Sequence, residues 1–289
     1  MNSKILVLGA SGMLGSSLIK KFSNESIGYI SHSRKSNTDF NFELSNSIDV
    51  CKNLDEIQPE VIINLAANTD VDFCEKSPKI AFQDNTKSVE NIVNWIKAND
   101  LRTKLIHIST DQVYDNKNCY SCEDNINISN IYAYSKYCAE LHALGVKSII
   151  LRTNFFGKST HNSRLSFSDW IVSSLSEGKK ITLFNNILFN PISINSLVDI
   201  LVQIISSNNF GLYNLGSKNG MSKAEFGLKL AESLNLSTKN ISVDSDDKSN
   251  LFAYRPKDMR MNCDKFEKSF KINLNSLESE LDILRSNYE

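Results

Sequence analysis

Residues Lys4-Ile-Leu-Val-Leu-Gly-Ala-Ser-Gly-Met-Leu-Gly15 pass from an apolar run of four straight into three glycines spaced three apart. The aliphatic run reads as a strand buried on both faces, and Met13 to Phe22 reads as an amphipathic helix that begins at once. Joining the two so directly demands a tight turn at Gly9, a bare backbone at Gly12 and a close approach of helix to strand at Gly15. A helix that starts this way points its backbone N–H groups and the positive end of its dipole at whatever lies beyond the strand, which suits a diphosphate. Gly9, Ser11, Gly12, Met13, Leu14 and Gly15 are therefore the expected contacts of a dinucleotide.

The first half of the chain continues as strands and helices in alternation. Ile27–Ser31, Val61–Ala66, Lys104–Ser109 and Ser148–Arg152 read as strands, and Ile48–Ile57, Pro78–Ala98 and about Ile131–Leu144 read as helices. Strands that are continuously apolar imply a parallel, doubly wound α/β sheet covered on both faces, whose ligands bind beyond the strands' carboxyl ends. Arg34, Ala66, Ala67, Asn68, Thr69, Ser109 and Thr110 follow or close those strands and are expected at the site. After Arg152 the alternation weakens into a helix at Phe167–Ser176, a strand at Ile181–Phe184, a helix at Ser193–Ser206, a strand at Gly211–Leu215 and a helix at Ser222–Leu234. The expected organisation is a dinucleotide-binding domain of residues 1–153 and about 186–208, interwoven with a smaller lobe of about 154–185 and 209–289. Asp244–Asn250 reads as a solvated polar loop.

With a formal net charge of -1 over 289 residues and no long basic run, nothing marks the surface as built for nucleic acid or anionic membrane, and neither partner is expected. The chain begins its first strand without a leader-like apolar segment, and no apolar run approaches bilayer length, so a cytoplasmic location is expected. Cysteines stand at 51, 74, 119, 122, 138 and 263, and only Cys119 and Cys122 share a CxxC spacing. With no second Cys or His cluster beside it, that pair reads as reduced thiols, and no metal site is expected.

Tyr132 and Lys136 lie four apart at the start of a helix, on one face. A phenol is a poor acid at neutral pH unless a nearby cation adjusts it, and Lys136 is such a cation. Thr110, at the end of the Lys104–Ser109 strand, offers a hydroxyl to hold a carbonyl oxygen within reach of Tyr132. Reduction of a carbonyl by hydride transfer builds negative charge on its oxygen, and a proton donor assisted by a cation and a positioning hydroxyl suits that chemistry. Tyr134 is the rival phenol, but it lies on another face of the helix.

Gly9-x-x-Gly12-x-x-Gly15, Asn64-Leu-Ala-Ala67, Ser109-Thr110-Asp111, Tyr132-x-x-x-Lys136 and Arg152-Thr-Asn-Phe-Phe-Gly157 occur in the order found in extended short-chain dehydrogenases/reductases. Within that superfamily the chain resembles the dTDP-4-dehydrorhamnose reductases, through Gly-Ala-Ser-Gly-Met-Leu-Gly15, the run Val61 to Asp72, and Arg255-Pro256 before a terminal helix. The resemblance implies a Rossmann-type domain that binds a nicotinamide dinucleotide, and a smaller lobe for a nucleotide-diphosphate sugar. It implies Thr110, Tyr132 and Lys136 as the catalytic set, with Lys136 also on the nicotinamide ribose. Asp111, Gln112, Asn154 and Arg255 are the implied substrate contacts, and a homodimer is among the assemblies it allows.

Two local features refine this expectation. Sugar-nucleotide 4,6-dehydratases carry Thr-Asp-Glu where this chain has Thr110-Asp111-Gln112, and an amide cannot exchange the proton that elimination requires. After the second strand stands Ser33-Arg34-Lys35, without the carboxylate that usually binds the ribose hydroxyls of NAD, so NADP(H) is favoured and NAD(H) remains possible. The expected activity is reduction of the 4-keto group of a nucleotide-linked 4-keto-6-deoxy sugar, for surface polysaccharide or related sugars. The alternatives are an epimerase that retains NAD and a non-catalytic dinucleotide-binding regulatory subunit. Asn185 to Pro191 departs from the acidic, glutamine-containing segment more usual in the family, which leaves the sugar and the base open.

Overall fold

In the computed structural model, residues 4–34, 38–99, 102–159, 165–245, 251–285 and 288 are described. They fall into two compact units, one formed by Met1–Thr110, Ser129–Arg152 and Val202–Tyr213, the other by Asp111–Ile128, Thr153–Leu201 and Asn214–Glu289.

The first unit carries a seven-stranded sheet. In chain order its first half is β1 (Ile5–Leu8), α1 (Met13–Asn24), β2 (Tyr29–Ser33), β3 (Phe40–Asn41), α2 (Ser47–Ile57), β4 (Val61–Asn64), α3 (Val71–Lys76), α4 (Pro78–Phe82), a π turn (Gln83–Lys87), α5 (Ser88–Ala98) and β5 (Lys104–Thr110). Next come α6 (Ile131–Ala143) and β6 (Ser148–Thr153). Among these strands β1 pairs with β2 and β4, β2 with β3, and β4 with β5, all parallel. Every residue of β1 and β4 is buried, as continuous aliphatic strands require when helices cover both faces. Helix α1 buries Leu14, Leu18 and Phe22, spaced four apart, and α2 starts where the Asn46 side chain accepts from the N–H groups of Ile48 and Asp49. Leu6, Leu8, Ile62, Leu105 and Ile150 from the strands join Val50, Leu54, Val89, Ile92 and Ile96 from the helices in one core.

The helix expected over Pro78–Ala98 is helical throughout, but its middle widens into the π turn. The cause is polar. Asn85 is buried there and must find partners: it accepts from Asn68 N–H at 2.7 Å and donates to Asn68 O at 3.0 Å and to Ser135 Oγ at 2.9 Å. Thr86 Oγ1 donates to Ser135 O at 2.7 Å, so the widened turn is tied to both the loop after β4 and helix α6.

The second unit is built from short elements: β7 (Phe155–Phe156), α7 (Phe167–Ser176), β8 (Ile181–Phe184), β9 (Leu188–Phe189) and β10 (Ile192–Ser193), leading into α8 (Ile194–Ile204). β11 (Gly211–Leu215) forms the sheet edge beside β6, giving the order β11-β6-β5-β4-β1-β2-β3. The second unit resumes with β12 (Met221–Ser222), α9 (Lys223–Ser233), β13 (Ile241–Asp244), α10 (Asp264–Phe270) and α11 (Leu277–Arg285). Helices α7 and α9 both start in capping boxes, Ser166 with Asp169 and Ser222 with Glu225. Phe156, Phe167, Phe189 and Phe226 pack edge to face or stacked at the centre of this unit. Asp244, expected in a loop, ends β13, and residues 246–250 lie outside the described residues.

Candidate active site

At the carboxyl end of β1, Gly9 has φ +80°, and a Cβ there would stand 2.8 Å from Ala66 N and 2.9 Å from Ala66 Cα. The turn closes through Gly12 N–H donating to Gly9 O at 3.0 Å. A Cβ at Gly15 would strike Gly9 O and stand 2.7 Å from Ala10 Cα, so the first turn of α1 rests directly on the loop. Gly12 is the N-cap of α1 and offers no side-chain cap, and the first turn holds no acidic residue. Such an end is left to an anionic ligand.

Beside it opens a cleft of about 570 Å³, lined by Gly9, Ser11, Gly12, Arg34, Ala66 and Ala67 from the expected set. Leu14 and Gly15 are buried behind it in α1, Met13 is half-buried there, and Thr69 is exposed. His32, Ser33, Glu43, Leu44, Leu65, Asn68, Asp84 and Ser88 complete the lining, and of these Asn68 falls within the Ala66–Thr69 stretch expected at the site. Arg34 follows β2 with its side chain 58% exposed and Nη1 3.8 Å from Asp84 Oδ1. Lys35 lies outside the described residues. Asp84 comes to the cleft on the π turn and accepts from Asn68 Nδ2 at 3.1 Å. His32 is fully buried, its Nε2 2.9 Å from Phe42 O, and desolvation holds its pKa down.

Helix α6 starts at Asn130, whose side chain accepts from Ala133 N–H, while Glu75 accepts from Ile131 N–H at 2.9 Å. The helical period places Tyr132, Ser135, Lys136 and Glu140 on the buried side and leaves Tyr134 48% exposed, edge-on to Phe82. Lys136 Nζ donates to Ile108 O at 2.7 Å, two residues before Thr110, which is the last residue of β5 rather than the first after it. Burial pulls the Lys136 pKa down to about 8, against the opposing pull of Glu140. Ser109, an expected cofactor contact, donates its hydroxyl to Glu140 Oε1 at 2.5 Å. Behind them, His107 Nδ1 lies 3.2 Å from Asn64 Nδ2. The Asn64 amide is oriented by Ala66 N–H donating to its oxygen, so His107 Nδ1 accepts and the ring proton sits on Nε2. That Nε2 has no partner among the described residues, and burial followed by the Lys136 charge keeps the ring neutral.

In the second unit, Asn154 Nδ2 donates to Asp111 Oδ2 at 2.8 Å, joining two of the residues expected to meet substrate. Gln112 is half-buried next to Asp111, and Arg255 Nη1 donates to Ala253 O at 2.8 Å within its own loop. All six cysteines are free thiols, Cys119 and Cys122 both exposed, and the described residues hold no group of three metal-ligating side chains. No helix among them is long and apolar enough to cross a membrane.

A parallel sheet with an uncapped glycine turn at β1, and a buried Tyr-x-x-x-Lys helix packed on β5, define an extended short-chain dehydrogenase/reductase fold. The chain belongs to the RmlD substrate binding domain family, whose model matches residues 3–288. Among its relatives, the probable low-salt glycan biosynthesis reductase Agl14 of Haloferax volcanii is 27% identical over 78% of both chains. The dTDP-4-dehydrorhamnose reductase of Escherichia coli is 26% identical over 93% of this chain and 92% of its own. In structure, the dTDP-4-dehydrorhamnose reductase of Bacillus anthracis in complex with NADP shares the fold, with a TM-score of 0.88, 24% identity, and coverage of 98% of this chain and 99% of its own.

Proposed function

We propose that this chain is an NADP(H)-dependent reductase acting on the 4-keto group of a nucleotide-diphosphate 4-keto-6-deoxy sugar, in the making of surface polysaccharide or related sugars. The observation that carries the reading is the buried Tyr132–Lys136 face of α6, with Lys136 bonded to the strand that ends in Thr110. Family membership supports the substrate class, and the names of the relatives point the same way.

The residues at the cleft fit a dinucleotide. Gly9, Gly12 and Gly15 leave bare backbone where side chains would collide, and α1 starts without a cap of its own. Gly9, Ser11, Gly12, Met13, Leu14 and Gly15 would hold the diphosphate, Ala66, Ala67 and Thr69 would flank it, and Arg34 would meet a 2′-phosphate. When bound, a reduced nicotinamide supplies hydride to the carbonyl carbon. Tyr132 gives its phenolic proton to the carbonyl oxygen as negative charge builds there. Lys136, an ammonium drawn out of water, stabilises the phenolate left behind and is placed to bond the nicotinamide ribose. Thr110 donates to the same carbonyl oxygen and orients it. Asp111, Gln112, Asn154 and Arg255 remain the substrate contacts of this reading, with Asp111 oriented by Asn154. Gln112 offers no carboxyl to start elimination, which favours reduction over dehydration.

The test is direct: incubate the chain with NADPH and a panel of nucleotide-linked 4-keto sugars and follow the loss of reduced-cofactor absorbance. One NADPH consumed per sugar reduced is expected. No turnover with any member of the panel, or formation of the 4-keto sugar from an unmodified nucleotide-linked glucose, refutes the reading.

A further inference from the structure

Glu140 stands one helical turn beyond Lys136 on α6 and is 1% exposed, as Arg152 on β6 is 0%. Its Oε1 accepts from Ser109 Oγ at 2.5 Å and Arg152 Nε at 3.0 Å, and its Oε2 accepts from Arg152 Nη2 at 2.6 Å. A buried ion pair is a poor source of stability, because desolvating both charges offsets most of their attraction, and apolar side chains of similar volume serve as well or better. Its place in the fold indicates what it does. Helix α6 is fixed to β5 by bonds on two successive strand residues, Lys136 Nζ to Ile108 O and Ser109 Oγ to Glu140, and the residue after them is Thr110. Those two bonds set how far along the strand α6 sits, and so where Tyr132 stands.

Among the described residues, the carboxylate whose charge acts on Lys136 is that of Glu140. On β5, His107 is buried and neutral; on β6, Arg152 is committed to Glu140; on α3, Glu75 is held at the first N–H of α6. The π turn before α5 presents the uncharged Asn85 and Thr86 to α6, while its Asp84 faces Arg34 and Asn68.

We infer that Glu140 is a positioning residue for the Tyr132–Lys136 pair: with Ser109 and Arg152 it seats α6 on the end of β5 and places a negative charge one turn from the buried ammonium. The inference rests on the reading of Tyr132 and Lys136 as the reducing pair. Removing the Glu140 charge then leaves the Lys136 ammonium opposed by desolvation and by the uncompensated Arg152 cation, so Lys136 loses its proton at lower pH.

The experiment uses the full chain with NADPH and dTDP-4-keto-6-deoxyglucose as probe, reading kcat, KM and their pH profiles, and separately the pH dependence of NADPH binding by nicotinamide fluorescence. Glu140→Gln is expected to lower kcat about tenfold or more with a smaller change in KM. It is also expected to move the alkaline limb of both kcat and NADPH binding to lower pH by about one unit. Glu140→Asp, which keeps the charge, is expected to hold the limb near wild type. Should Glu140→Gln fail to fold for want of a partner for Arg152, the double variant Glu140→Gln/Arg152→Met, which leaves no lone buried charge, carries the test: a reduced kcat and a smaller downward move of the limb are expected. A folded Glu140→Gln or double variant with wild-type kcat and limbs, or Glu140→Asp moving the limb as far as Glu140→Gln, overturns the inference. If the wild-type chain leaves NADPH unoxidised with the sugar, the reductase reading fails, while the limb of NADPH binding still decides for or against Glu140.

Discussion

Replacing Arg34 with Ala separates the two nicotinamide cofactors. Arg34 follows β2 in the cleft beside the glycine turn, where a 2′-phosphate on the adenosine ribose would gain a charge-assisted hydrogen bond worth ~1.5–3 kcal/mol. Its side chain is 58% exposed, so solvent screening brings the effect just below that range, to about 1.4 kcal/mol or tenfold in Kd. NADH lacks the phosphate and should lose little. Asp84 gives the opposite perturbation. Its Oδ1 lies 3.8 Å from Arg34 Nη1, where two unit charges interact by ~1 kcal/mol in water-like surroundings. Asp84→Asn should release Arg34 and remove a repelling carboxylate, tightening NADPH by about two- to fivefold and leaving NADH nearly unchanged. Fluorescence titration of both cofactors against wild type, Arg34→Ala and Asp84→Asn measures all six affinities. An equal loss of NADPH and NADH binding in Arg34→Ala would show the residue to be a solvated surface charge and refute the assignment.

Tyr132→Phe keeps the ring and removes the hydroxyl proposed as proton donor, so kcat should fall by about 10²-fold or more with cofactor binding close to normal, whereas Tyr134→Phe, exposed against Phe82, should be mild in steady-state assays. Gly15→Ala drives a Cβ into the backbone of Gly9 and Ala10, which cannot swing aside, so it should cost ~1–3 kcal/mol in denaturant melts and weaken NADPH and NADH together; native stability and affinity would refute the close packing. Lys136 has its pKa depressed to about 8 by burial, so the unfolded chain binds more protons between about pH 8 and the ordinary lysine range, and the cost of the buried ammonium is fully present below that window and relieved through it. Lys136→Met should therefore abolish most turnover yet hold or raise Tm at pH 7, and a large fall in Tm would contradict the desolvation account.

The features settled by sequence alone are those fixed by local geometry. A four-residue aliphatic strand running into glycines at 9, 12 and 15 leaves one way to turn, and the structure shows side chains excluded at Gly9 and Gly15 by the backbone of Ala66 and Ala10. The helical period alone puts Tyr132 and Lys136 on one face and Tyr134 on another. Tertiary structure decided what depends on partners far away in the chain. Ser109, Glu140 and Arg152 meet across separations of 31 and 12 residues, and no spacing rule joins a serine in a strand to a carboxylate on the helix above it. The widened turn at Gln83–Lys87 has no local signature either. It forms because a buried Asn85 finds its partners in Asn68 and Ser135, and only the assembled unit supplies them. Glu43, Leu44 and Asp84 enter the cleft for the same reason: periodicity tells which residues share a face of their own element, while the identity of the facing element follows from how the sheet and its helices close on one another.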